Sequence, residues 1–329
     1  MRTNRPAARV KDGALIASVR AGTWMAVFAG AWMAVLIGSG CGSDSRPAVT
    51  VYCAQDQVYA EPLLAEFTRE TGIRVRTVFD SEAVKTVGLA NRLLAEANHP
   101  QCDVFWGNEE LRTRQLEVRG VWRETNGWAA VGFRSRRMIV NTNLLPLAMA
   151  PRSLIELTNA VWRGKVALAY PLFGTTVTHF LALRQEWGEA AWESWSRALT
   201  ANGSMVVDGN SVVARLVAKG EAWIGLTDSD DIAVVQREGA PVVALPLTDL
   251  DLLIPNTIAV VRGAPHPGPA QALFEWLQRP EVLQRLVTLH ALEGATPSAL
   301  VEQTLQPDWP RLVTELEAGT VRLKEVFLR

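Results

Sequence analysis

From residue 48 onward, short β-branched and aromatic runs alternate with stretches of helical periodicity, and this alternation constrains the fold more than any other feature of the chain. Residues 48–52 read as a strand, and 59–71 as a helix with Leu63, Leu64 and Phe67 inward and Gly72 as its stop. Residues 73–79 read as the next strand, 84–97 as a helix, 104–106 as a short strand and 110–118 as a helix. A β-α-β-α-β series of this kind makes an open, mostly parallel sheet, in which ligands gather beyond the carboxyl ends of the strands. That rule directs attention to residues 53–57, 80–82 and 106–109.

A second series follows a long strand at 129–140. It comprises a strand at 165–169, helices at 175–187 and 190–201, a strand at 205–207, a helix at 211–219 and a strand at 222–226. A strand at 257–261 then leads into helices at 269–278 and 280–290. The last helical stretch, 310–328, has no partner within the second series, so the chain is expected to return to the first. Crossings near Asn141 and Pro255 predict two α/β lobes joined by a two-stranded hinge, with 48–141 plus 256–329 as lobe 1 and 142–255 as lobe 2.

The residues ahead of this pattern read as an address. Arg2, Arg5, Arg9, Lys11 and Arg20 face a single acid, Asp12, and precede an apolar run over 21–37 that ends in Gly38, Ser39, Gly40 and Cys41. That order is the order of a secretory signal, expected over 1–40. The competing reading is an uncleaved anchor, since ~17 apolar residues are near the lower limit for spanning a bilayer. Small residues before Cys41 resemble the bacterial lipoprotein signal, in which the cysteine is acylated, and 42–47 then form a short tether. The protein is thus expected to be a periplasmic or cell-envelope lipoprotein and a monomer. Cys53 and Cys102 are expected to stay unbridged and buried, because they fall at opposite ends of their strands. The whole chain has a net charge of −1 and, without its basic leader, a mildly acidic body, which gives no electrostatic reason to bind nucleic acid.

Asp228, Asp230 and Asp231 follow an apolar strand and open a helix. Capping and the helix dipole account for some acidity there, but three carboxylates in four residues exceed that need. With Asp56, Asp80 and Glu82 from the facing lobe they predict a strongly negative pocket that requires a cation. Opposite chemistry stands at Gly174, Thr175 and Thr176 and at Asn210 and Ser211, where hydroxyls, an amide and free backbone N–H groups at helix starts suit an anion, or serve as ordinary caps. Trp106 and Phe173 offer either aromatic surface for an organic ammonium or plain core packing. No metal-ligand spacing links His99, His179, His266 and His290, and no nucleophile elbow or phosphate loop is present, so enzymatic readings are weak.

Several segments together carry a family resemblance: Val51-Tyr52, then Phe67-Thr68 through Glu70-Thr71-Gly72-Ile73, then Asp103-Val104-Phe105-Trp106, and Trp162-Arg163-Gly164-Lys165-Val166. Asn210-Ser211-Val212, Gly220-Glu221, Asn256-Thr257 and Gly263-Ala264-Pro265-His266-Pro267 continue it in the same order. The chain resembles the ferric-iron class of periplasmic solute-binding proteins. The resemblance implies a type II, Venus-flytrap architecture, an ABC permease and ATPase as partners, and no catalysis and no required cofactor; any bound Fe³⁺ or divalent cation is cargo. Iron-binding members use a histidine, a glutamate and an adjacent tyrosine pair at places held here by Asp56, Asn108, Asp230 and Asp231, so the usual coordination is lost. The expected ligand is a small cation of the iron(III) type with an accompanying anion, and the alternative is a polyamine or a zwitterion such as an aminophosphonate. A hydrolase using Asp56 and Asp230 across the cleft is the remote alternative.

Overall fold

The computed structural model describes residues 46–79, 85–296 and 304–328. Cys41 and Glu82, with Asp80, lie outside the described residues. The first lobe opens with β1 (Ala48–Cys53), whose parallel neighbours are β2 (Arg74–Val78) and β3 (Val104–Gly107). Helix α1 (Gln57–Thr71) joins the first two strands and buries Leu63, Leu64 and Phe67. It stops at Gly72, whose left-handed backbone (φ 73°) lets its N–H close on the Thr68 carbonyl. Helices α2 (Lys85–Ala95) and α3 (Glu110–Val118) flank β3 in sequence.

The long strand β4 (Trp128–Asn141) organises the rest. Its first half, Trp128 to Ser135, pairs antiparallel with β9 (Leu253–Val260), which in turn pairs with β3. Its second half, from Arg136 on, pairs with β7 (Ile224–Asp228) on one side and β8 (Val242–Leu245) on the other. Parallel strands β5 (Val166–Ala169) and β6 (Met205–Val207) complete a strand order of β2-β1-β3-β9-β4-β7-β5-β6. The change of partners at Ser135/Arg136 comes six positions earlier than Asn141, because β4 runs unbroken through both halves of the sheet. Strand β8 has no counterpart in the sequence reading; it is four residues long and framed by Pro241 and Pro246, which hid it.

The second lobe's helices are α4 (Gly174–Trp187), α5 (Glu189–Ala201), α6 (Asn210–Ala218) and α7 (Ser229–Arg237). Helices α8 (Pro267–Trp276) and α9 (Pro280–Thr288) return to the first lobe, where Leu273, Trp276 and Leu286 join Val51, Phe67 and Trp106 in one core cluster. The final helix α10 (Trp309–Phe327) corrects an expectation. It packs on α3 but also on α4 and α5, with Leu312, Leu316, Leu323 and Phe327 in the same cluster as Phe180 and Trp192. The Phe180 and Phe327 rings meet edge-on at 5.6 Å, so the apolar stripe of α10 does find its partner in the second series. Cys53 and Cys102 are both buried and are not joined by a disulfide. Among the described residues no helix is long and apolar enough to cross a membrane.

One backbone position at the crossover is tightly specified. Gly132 sits at φ 74° beside the register shift between Ala130 and Phe133, and a Cβ there would lie 2.5 Å from Leu292 Cδ1 and 2.9 Å from the Gly294 carbonyl. Gly132→Ala therefore combines a left-handed alanine with a backbone clash and is expected to cost about 2–4 kcal/mol, read as a lower urea midpoint at unchanged slope.

Candidate ligand-binding site

Four chain segments converge where β4 changes partners. Strand β7 ends at Asp228, directly opposite Arg136 on β4, and α7 begins at once with Ser229, Asp230 and Asp231. The starts of α4 and α6 bring Thr175, Thr176 and Asn210 to the same place. Along β4, Arg134 and Arg136 project on one face because side chains alternate in a strand. Both guanidinium groups are sealed from solvent, with Arg136 0% and Arg134 3% exposed.

The arginines set the geometry. Arg136 Nη1 donates to Asp228 Oδ1 at 2.6 Å and to Asn210 Oδ1 at 2.9 Å. Thr175 donates its hydroxyl to Asp228 Oδ2 at 2.7 Å, and the Asn210 amide donates to the same oxygen at 3.2 Å. Arg134 donates to Asp230, lies 3.5 Å from Asp228 Oδ2 and gives its second nitrogen to the Asn108 carbonyl at 3.0 Å. One carboxylate oxygen from each of Asp228, Asp230 and Asp231 lies within 4.8 Å of the others, and all three residues are buried. Such a spacing is compatible with an oxygen-ligated cation, but two of the three carboxylates already face a guanidinium.

Two expectations change in consequence. The cluster is not an uncompensated acidic pocket: two buried positive charges stand among Asp56, Asp228, Asp230 and Asp231. And Thr175 and Asn210, expected to receive an external anion, are engaged with the protein's own Asp228 carboxylate. Thr176 reaches Asn210 Oδ1 at 3.3 Å, Gly174 begins α4 in the left-handed region and accepts from Thr178, and Ser211 accepts from Arg215 at 2.7 Å one turn along α6. Asp56 heads α1 and is close enough to act electrostatically on Asp230, Arg134 and Tyr59. Asn108 is buried beside the site and takes part through its carbonyl.

Trp106 does not present a face to the site. It is 0% exposed and packed with Val49, Val51, Phe67 and Ile258 in the first-lobe core, because odd and even positions of β3 point to opposite sides and Trp106 shares the side of Val104. Phe173 is part-buried against the second core.

Arg134, Arg136 and Arg237 escaped the sequence reading, whereas Glu109 closes the stretch 106–109 to which it pointed. Arg134 and Arg136 were visible only as two of the three arginines of β4, spaced two residues apart and so on one face, while Arg137 points to the other. Glu109 caps α3 by accepting the Arg112 N–H at 3.1 Å and also accepts from Thr178 of α4 at 3.3 Å, linking the two lobes. Arg237, at the end of α7, donates to the Tyr59 hydroxyl of α1 at 3.1 Å and to the Leu289 carbonyl at 3.0 Å.

Burial and charge divide the carboxylates. Burial pushes the Asp228 carboxyl up, but Arg136 and Arg134 outweigh it and hold the group below the usual carboxylate range. Burial, with Asp228 and Asp56 nearby, pushes Asp230 up to about 7 despite Arg134. Burial and then Arg136 push His179 down to about 3, so this imidazole, bonded through Nε2 to the Leu250 carbonyl at 3.2 Å, is neutral. An acid whose folded pKa is raised stabilises the fold at low pH and loses that contribution as pH rises through the folded value. Asp230 therefore contributes a stability term that declines between about pH 5 and 7. In Asp230→Asn that decline is absent, so the change in unfolding free energy from pH 5 to pH 7 is expected to be more positive than in wild type by on the order of 2 kcal/mol, measured by chemical unfolding at both values.

Comparison with known proteins identifies the family and the fold. The chain is 24% identical over 301 residues to the major ferric iron-binding protein of Neisseria gonorrhoeae, covering 84% of this chain and 89% of that one. It is 29% identical over 199 residues to the Fe(3+)-binding periplasmic protein of Serratia marcescens, covering 54% and 56%. Among solved structures, iron-bound HitA from Pseudomonas aeruginosa superposes with a TM-score of 0.72 at 19% identity, over 85% of this chain and 99% of that one. AfuA from Actinobacillus pleuropneumoniae, with fructose-6-phosphate bound, gives 0.73 at 18% identity, over 86% and 99%. These structures share the two-lobed α/β fold of periplasmic binding proteins. Residues 49–287 match the bacterial extracellular solute-binding protein family, and the chain belongs to that family, a binding protein rather than an enzyme.

Proposed function

We propose that this chain is the capture component of an ABC importer and that its cleft takes a small solute bearing a positively charged amino group. The observation that carries the reading is the state of the acidic pole. Among the described residues Asp230 Oδ1 is buried without a hydrogen-bond partner, Asp231 offers a carboxylate oxygen within 4.8 Å of an Asp230 oxygen, and Asp56 and Tyr59 lie within electrostatic reach. An ammonium group has three N–H donors to offer such a set of acceptors, and polyamines and aminophosphonates belong to that class.

A metal ion is the second reading, favoured by the three aspartate oxygens lying within 4.8 Å of one another and by the iron-binding names of the Neisseria and Serratia relatives. It is less well supported, since an ion held by Asp228 and Asp230 has to share them with Arg134 and Arg136. In either case the lobes, taken as 46–135 with 256–296 and as 136–255, offer half of the contacts each, and the ligand's differential affinity draws them closed for the permease and its ATPase. Anchoring through an acylated Cys41 in the cell envelope completes the proposal.

Thermal unfolding of the metal-stripped protein against polyamines, aminophosphonates, Fe³⁺, divalent metals and sugar phosphates tests it. A ligand at ~100 times its Kd stabilises the fold by about 2.7 kcal/mol. A shift with an amine-bearing compound is expected, lost in both Asp230→Ala and Asp231→Ala. A shift with metals alone establishes the second reading, and a shift with sugar phosphates alone contradicts both.

A further inference from the structure

We infer that Asp228 is a built-in counter-anion, so that the cleft receives its positively charged solute without a small anion bound beside it. The inference deepens the reading above, and its evidence is the set of donors around one carboxylate. Oδ1 takes Arg136 at 2.6 Å; Oδ2 takes Thr175 at 2.7 Å, Asn210 at 3.2 Å and Arg134 at 3.5 Å. These donors come from β4 and from the starts of α4 and α6, where helix dipoles and hydroxyls favour negative charge. They are the surroundings a free formate or phosphate oxygen would require.

The donors are also oriented for a carboxylate rather than for one another. Thr175 gives its proton to Asp228 and so accepts from the Asn210 side-chain amide at 2.9 Å, while Asn210 Oδ1 accepts from Arg136 at 2.9 Å and Thr176 at 3.3 Å. Each member thus has its role fixed by the negative charge at the centre. A tethered carboxylate has an effective concentration that a dissolved anion at millimolar level does not match. A second anion entering nearby would also meet Asp230 and Asp231, whose carboxylates are within 4.8 Å of Asp228. The side chain therefore supplies the counter-charge and closes the place to others.

The test uses anions alone, so it stands or falls separately from the identity of the solute. Thermal unfolding of the full chain is followed in sodium formate, sodium phosphate and sodium chloride at matched ionic strength, for wild type, Asp228→Ala and Asp228→Asn. Wild type is expected to show no saturable stabilisation by formate or phosphate over chloride. Asp228→Ala leaves Arg136 without its counter-charge, and its Tm is expected to fall by roughly 5–10 °C and to recover by at least half in formate, with saturation. Asp228→Asn keeps the volume without the charge; its Tm is expected to fall and to ignore formate. Saturable stabilisation of wild type by either anion overturns the inference. So does Asp228→Asn that is as stable as wild type, or a folded Asp228→Ala that does not respond to formate; if Asp228→Ala fails to fold, the other two arms decide.

Discussion

The buried pair between Arg136 and Asp228 is the constraint from which the rest of the site follows. The two residues face each other across β4 and β7, and both are sealed from water, so neither charge is tolerable without the other. Their pairing fixes the end of β7 against β4 at the point where β4 leaves one half of the sheet for the other. From that point α7 has to start, which is why Asp230 and Asp231 arrive beside Arg134. The same carboxylate draws in the first residues of α4 and α6 through Thr175 and Asn210. One ion pair thereby gathers five elements, β4, β7, α4, α6 and α7, whose participating residues span almost a hundred positions.

Around that fixed centre the lobes touch through contacts that a hinge motion would break. Glu109 meets Thr178, and Arg237 meets Tyr59, each joining a residue of the first lobe to one of the second. Neither is a large apolar interface, and polar contacts of this kind contribute only about 1 kcal/mol each net of water. A ligand completing the acceptor set at Asp230 can tip such an equilibrium, since only its differential affinity for the closed form is required.

Much of this was legible in the amino-acid sequence, and the limits have physical causes. Period-3.6 and short apolar runs located nearly every strand and helix, because each buries a face of its own. The place of the candidate site was legible as well, since Asp228, Asp230, Thr175 and Asn210 all follow strands and open helices. What local pattern does not carry is the partner. Asp228 and Arg136 are 92 positions apart, so a run of acids read alone leaves Asp228 among those awaiting a cation from outside when its own counter-charge is already in the chain. Trp106 fails for a related reason: strand alternation fixes that it differs in face from Phe105, but not which face meets the cleft. The stripe on α10 was likewise readable, whereas the identity of Phe180 and Trp192 as its cover was not.

The most direct test of the account is to purify the protein under native conditions and determine what it holds, by intact mass spectrometry under non-denaturing conditions together with elemental analysis for metals and phosphorus. One amine-bearing solute per chain is expected, with no metal and no separate inorganic anion. A stoichiometric metal accompanied by phosphate or carbonate would contradict it, because Asp228 would then have left the seat that the structure gives it.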